Sequence, residues 1–262
     1  MENKVTPLVV LKTLILLPLF FGVLALYCIA ILFCTILPNG KNFATKVYEL
    51  FAITGIKFIG LNIGIIGEEY VDREQSYVVV SNHPSTIDIF THIHCLPVSI
   101  RFLTKAELFK IPIFGSVLRI LGLQKVDRNK TDKTDINKSI EEVVRNKYSI
   151  MVFSEGTRSK SEKDLLPFKK GAAWIAINYQ LPILPVVTRN AGKLMPRGEV
   201  WLKSGNVDIE ILQPIDTTNM SLDEVGELTN RVENLIKSKI CLLYTSDAAD
   251  EGLGVDLGGR RI

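Results

Sequence analysis

Leu14 to Leu37 is an unbroken run without a charged side chain. As a helix it would be about 36 Å long at 1.5 Å per residue, enough for a hydrocarbon core of about 30 Å. It is too long for the apolar region of a signal peptide, and no small-residue cleavage site follows. The pattern predicts an N-terminal membrane-associated helix, with Pro18 and Gly22 as kink points that membrane helices tolerate. A second apolar stretch, Phe51–Gly67, is broken only by Lys57 and contains Gly55, Gly60, Gly64 and Gly67. Those glycines make a poor isolated span. The stretch reads as an interfacial or re-entrant partner, with a buried helix of a soluble core as the alternative. Residues 1–67 are therefore expected to form a membrane-associated segment.

The pattern changes at Tyr77. Tyr77–Ser81 is a short β-branched run of the kind found in buried parallel strands. Helix is expected at Thr86–Cys95, strand at Ser99–Leu103, and helix at Ala106–Leu121 with a break at Pro112. Strand follows at Leu123–Val126. Lys133–Lys147 is amphipathic, with Ile136, Ile140, Val143 and Val144 on one helical face. Strand at Ile150–Phe153, helix at Gly171–Tyr179 and strand at Ile183–Thr188 complete the alternation. Val200–Lys203 and Val207–Leu212 read as a late hairpin. Apolar positions Leu222, Val225, Leu228, Val232, Leu235 and Ile236 have helical spacing, with Ser221 and Glu224 placed as a capping box. Strand–helix alternation over residues 68–240 predicts an α/β domain with a mostly parallel central sheet flanked by helices.

Composition narrows the classes. The chain has 262 residues, 47% of them hydrophobic, a net charge of +3 and four cysteines. Those values exclude a disordered chain, a collagen-like chain and a small disulfide scaffold. No C-x-x-C pair suggests a zinc ribbon, and no basic stripe with interleaved aromatics suggests nucleic acid.

In parallel sheets ligands bind beyond the C-terminal strand ends. There the chain places Asn82-His83-Pro84-Ser85-Thr86-Ile87-Asp88. A turn can fold Asp88 back onto one imidazole nitrogen of His83 and leave the other to take a proton. The second strand exit carries Ser154-Glu155-Gly156-Thr157-Arg158-Ser159, where glycine permits close backbone approach and Arg158 offers a planar fork suited to phosphate. His92 and His94 invite a metal reading with His83. Residues two apart on a helix diverge by about 200°, which makes them poor joint ligands, so no metal site is expected.

Four blocks together resemble the glycerolipid acyltransferases, specifically the bacterial 1-acyl-glycerol-3-phosphate (lysophosphatidic acid) acyltransferases. They are NHPSTID at Asn82–Asp88, Lys105-Ala106-Glu107-Leu108 running to Val126-Asp127-Arg128, FSEGTRS at Phe153–Ser159, and LPILPV at Leu181–Val186. The resemblance implies transfer of a fatty acyl group from acyl-CoA or acyl-carrier protein to the sn-2 hydroxyl of lysophosphatidic acid. It implies His83 as general base and Asp88 as its orienting partner, with no cofactor. Arg158 would hold the acceptor phosphate with help from Lys105 and Arg128. Glu155, Gly156 and Thr157 would shape that site, and Pro185 would border the substrate channel. It also implies a bacterial inner membrane enzyme with its catalytic domain on the cytoplasmic side. A sister enzyme using another lysophospholipid or glycerol 3-phosphate is one alternative. A non-catalytic lipid-binding membrane protein is another.

Residues 241–262 (CLLYTSDAADEGLGVDLGGRRI) continue no helical or strand period. They resemble the translation of a transposon-end adapter from sequencing libraries, which implies a non-native tail. That tail holds four acids and two bases, so without it the net charge of +3 becomes +5. Such basicity suits a protein that works on phosphate-bearing lipids.

Overall fold

A computed structural model describes residues 5–126, 134–160 and 165–252. Two long helices lead the chain, α1 (Pro7–Cys34) and α2 (Gly40–Ile59). They fold back on each other, with the Tyr27 hydroxyl 2.7 Å from Thr54 Oγ1. At 28 residues α1 is about 42 Å long. Only Thr13, Cys28, Ile31 and Cys34 of it are buried. Leu14, Leu19, Leu26 and Phe33 are each more than half exposed. Among the described residues it is the one helix long and apolar enough to cross a membrane. Its one described lysine, Lys12, donates to the Ile59 carbonyl and to Ser204 Oγ, each at 2.6 Å, and so ties α1 to the end of α2.

The sheet is built from β1 (Leu61–Ile66), β2 (Val78–Ser81), β3 (Ile100–Lys105), β4 (Gln124–Val126), β5 (Ser149–Phe153), β6 (Ile183–Arg189) and β7 (Gly205–Ile211). Their spatial order is β1-β7-β6-β2-β5-β3-β4. From β6 to β4 every pairing is parallel. Only β6 and β7 pair antiparallel, and β1 then runs parallel to β7. The expected mostly parallel, helix-flanked sheet is what forms. Its centre is β2, whose four residues are all buried, as the Val-Val-Val run requires. Ile150, Ile183 and Leu184 are at most 1% exposed, and each such side chain contributes about 1.5–3 kcal/mol.

Helices cover both faces. On one side lie α1, α2, α3 (Asp88–Cys95) and α4 (Phe114–Ile120), packed over Val79, Leu184 and Val186. On the other lie α5 (Thr134–Arg145), α6 (Gly171–Asn178) and α8 (Val225–Gly252), packed over Val78, Ile150 and Ile183. Ile140 and Val143 of α5 are buried as their spacing predicts. A short α7 (Ala191–Leu194) follows β6. The Pro112 break is real: a 3-10 turn at Ala106–Lys110 precedes α4.

Three expectations need correction. The stretch 51–67 is not one interfacial element. Gly60 ends α2 in the left-handed conformation (φ 81°), and Leu61–Ile66 becomes a strand with every second residue turned inward. Val200–Lys203 forms no hairpin with β7. It packs under α1 instead, where Leu202 N donates to Thr13 Oγ1 at 3.0 Å, and β7 pairs with β1 and β6. Finally, the α8 backbone runs past Ile240 to Gly252. No Gly or Pro stands between those residues to stop a helix already nucleated. The capping box itself forms, with Ser221 N donating to Glu224 Oε2 at 2.7 Å.

Candidate active site

The end of β2 is fixed before any side chain can act. Asn82 is 2% exposed and makes a reciprocal pair with Thr188 on β6. Its Nδ2 donates to the Thr188 carbonyl and its Oδ1 accepts from Thr188 N, both at 2.8 Å. The next residue, His83, leaves the sheet on this anchored base.

The turn Pro84–Ile87 brings Asp88 to the first position of α3. Asp88 is fully buried, and its Oδ2 lies 2.8 Å from His83 Nδ1. Ser85 N donates to the same Oδ2 at 3.0 Å. A carboxylate there also meets the positive end of the helix. With the Nδ1 proton held by Asp88, the neutral imidazole has Nε2 unprotonated, and no described residue bonds to it. The His83 ring also stacks on Phe153 (centroids 3.8 Å apart, planes 7° apart), which fixes the ring plane. The arrangement can take a proton from an acceptor hydroxyl at Nε2 while the imidazolium that forms stays paired.

His92 supports this pair from below. It lies one helical turn after Asp88, fully buried. Its Nδ1 is 2.7 Å from the Asp88 carbonyl, to which it can only donate, and its Nε2 is 3.0 Å from Ser81 Oγ. Burial pushes its pKa down, and the ring bridges α3 to β2. The spacing Asp88–His92 was a readable signal for this role. His94 is exposed on the other side of α3, as the helical angle required.

The β5 exit locks onto the same loop. Glu155 Oε1 accepts from His83 N at 2.7 Å, and its Oε2 accepts from Leu166 N at 3.0 Å. Ser159 N donates to the His83 carbonyl at 3.0 Å. Glu155 is 3% exposed, and burial raises its carboxyl above the usual range while the two amides pull it back. Gly156 turns with φ 71°, and a Cβ there would stand 2.8 Å from Lys169 Nζ. Arg158 Nη1 donates to Thr86 Oγ1 at 2.6 Å, so its guanidinium lies beside the His83–Asp88 turn.

Glutamine cannot replace Glu155, because it has one acceptor oxygen for two amide donors. The Glu155→Gln variant is expected to lose about 1–3 kcal/mol of stability. Denaturant unfolding followed by circular dichroism would measure it, and a wild-type midpoint would refute the role given to Glu155.

The structure thus brings His83, Asp88, Glu155, Gly156 and Arg158 together, with Thr157 exposed on the same loop. Lys105 lies at the C-terminal end of β3, exposed, and bonds to none of them. Arg128 lies outside the described residues. Pro185 lies apart from these residues. It is buried in β6 opposite Val80, and strand alternation turns it with Ile183 and Val187 toward the core under α5, α6 and α8. His83 and Phe153 belong to the other face. Sequence reasoning missed Phe153 and Asn82, whose roles arise only when separate strand ends meet, and the Ser85 amide, which bonds Asp88 within the turn.

Comparison with known proteins finds similarity to one family. The acyltransferase family profile matches residues 62–189, from β1 to the end of β6. A 1-acyl-sn-glycerol-3-phosphate acyltransferase of Saccharomyces cerevisiae is 33% identical over 218 residues, covering 82% of this chain and 70% of its own. A human 1-acyl-sn-glycerol-3-phosphate acyltransferase alpha is 28% identical, covering 81% of this chain and 75% of its own. The crystal structure of the 1-acyl-sn-glycerophosphate acyltransferase of Thermotoga maritima superimposes with a TM-score of 0.76 at 25% identity, over 90% of this chain and 98% of that one.

Proposed function

Because the chain belongs to the 1-acyl-sn-glycerol-3-phosphate acyltransferases, we propose that it transfers a fatty acyl group from acyl-CoA or acyl-carrier protein to the sn-2 hydroxyl of lysophosphatidic acid. The product is phosphatidic acid, a phospholipid precursor. The observation that carries the reading is the His83–Asp88 pair, with Arg158 tethered to the same turn.

In this mechanism His83 Nε2 takes the proton of the sn-2 hydroxyl as its oxygen attacks the thioester carbonyl. The C–S bond then breaks, and the proton passes from His83 to the leaving thiolate. A thioester is already activated, so no serine or cysteine nucleophile is required. Asp88 holds the imidazole and stabilises its cation. Arg158 binds the acceptor phosphate through its planar fork. Lys105, at the end of β3, and Arg128 add positive charge, and Thr157 borders the phosphate. The exposed apolar face of α1 attaches the enzyme to the bilayer that holds acceptor and product.

An acceptor panel tests the proposal. Purified enzyme is given acyl-CoA or acyl-carrier protein with lysophosphatidic acid, lysophosphatidylcholine or glycerol 3-phosphate. Lysophosphatidic acid is expected to be preferred. Arg158→Lys should raise its KM about tenfold with kcat little changed, because a point charge replaces a fork. Turnover confined to another acceptor would reject the substrate, and turnover with none would reject the activity.

A further inference from the structure

A second cationic site lies at the other end of the sheet. Arg101 aligns with Ile150 of β5, which aligns with Val78 of β2. His83 is five residues beyond Val78, so the two positions are about 16 Å apart along the strand direction. They are also two strands apart across the sheet. Arg101 lines a cavity of about 400 Å³ together with Arg119, Lys41, Gly40, Thr45 and Tyr148. That volume falls in the range of about 300–1,000 Å³ typical of small-molecule pockets.

Arg101 is 1% exposed, yet no described carboxylate forms an ion pair with it. Nη1 donates to the Ile100 carbonyl and Nη2 to Thr45 Oγ1, both at 2.9 Å. The guanidinium stacks 3.6 Å from the Tyr148 ring centroid. Its buried Nε has no partner among the described residues. A buried cation so placed calls for an anion. Burial lowers its pKa, with Tyr48, Tyr148 and Glu49 acting against that. Arg119 and Lys41 add exposed cations at the rim. Among the described residues Glu142 is the one carboxylate lining the cavity, 3.8 Å from Lys41. The start of α2 at Gly40 adds the positive end of a 20-residue helix.

We propose that this cavity is a second anion site, separate from the active site, which takes the phosphate of a lipid headgroup or of a small soluble phosphate ester. Its mouth includes Thr35, directly after the apolar α1, and Ile36 beside it is 72% exposed. That puts the cations where membrane phosphates lie.

The full chain in zwitterionic detergent tests this. The Arg158→Ala variant removes the phosphate contact proposed at the active site. It is titrated with dihexanoyl phosphatidic acid, dihexanoyl phosphatidylcholine and inorganic phosphate. Saturable binding of phosphatidic acid at one site per chain is expected. Adding Lys41→Gln and Arg119→Gln should weaken it about tenfold or more, with an unchanged melting curve. Arg101→Met should abolish it, and the exposed rim pair keeps the test decisive if that buried variant misfolds. Phosphatidic acid binding without inorganic phosphate binding assigns a lipid headgroup. Equal binding of both assigns a soluble phosphate. The proposal is overturned if Arg158→Ala binds no phosphate ligand, if the rim pair changes nothing, or if phosphatidylcholine binds as well as phosphatidic acid.

Discussion

Replacing His83 by alanine is expected to lower kcat about 10²–10⁴-fold, the usual contribution of a positioned general base. At about 1.4 kcal/mol per decade this is some 3–5 kcal/mol of transition-state stabilisation. The fold should survive. The bonds that hold this turn to the β5 exit use the His83 main chain, through Glu155 Oε1 and Ser159 N, and alanine keeps both. What disappears is the ring, its stack on Phe153 and its bond to Asp88. Acyl transfer measured with purified, correctly folded variant decides the matter. Wild-type turnover would remove His83 from the mechanism.

The second large effect is expected from Asp88→Asn. In a His–Asp pair whose imidazole flips to the wrong tautomer, the loss reaches about 10⁴-fold. Here the flip is opposed. Oδ2 accepts from Ser85 N as well as facing His83 Nδ1, so an asparagine that turned its NH₂ there would confront a backbone donor. The amide oxygen should keep that place, leaving the NH₂ in the buried position of Oδ1, which has no partner among the described residues. The tautomer is then kept and only the negative charge is lost. We expect a fall in kcat of roughly 10²–10³-fold, short of that seen where the tautomer flips. Full activity would show that the carboxylate charge has no part in turnover.

Much of this site could be read along the chain, for a definite reason. The His83–Asp88 contact spans five residues, and a local turn is enough to make it. The strand before it carries three consecutive valines, so the turn had to emerge at the end of a buried strand. Phe153 could not be placed over His83 in the same way, because that stack exists only once β2 and β5 align Ser81 with Phe153. Asn82 and Thr188 are likewise brought together by strand pairing over 106 positions of sequence. β1 was hidden for a different reason. Its residues continue the hydrophobicity of α2, and Gly60 was the only punctuation between a helical and a two-residue period. Pro185 shows the converse, since its place in a family-like block did not tell which side of the sheet it faces.

The apolar face of α1 has a further consequence. Leu108, Ile111, Ile113 and Ile89, the residue directly after Asp88, are exposed as well. On the proposed attachment by that face, the enzyme would meet a lipid acceptor by lateral diffusion, and the acceptor would not have to leave the bilayer to reach His83. The quantity that governs turnover is then molecules per unit area of membrane. Diluting the acceptor with inert lipid at constant total amount is then expected to slow the reaction, whereas diluting the whole suspension with buffer should leave the acceptor term unchanged.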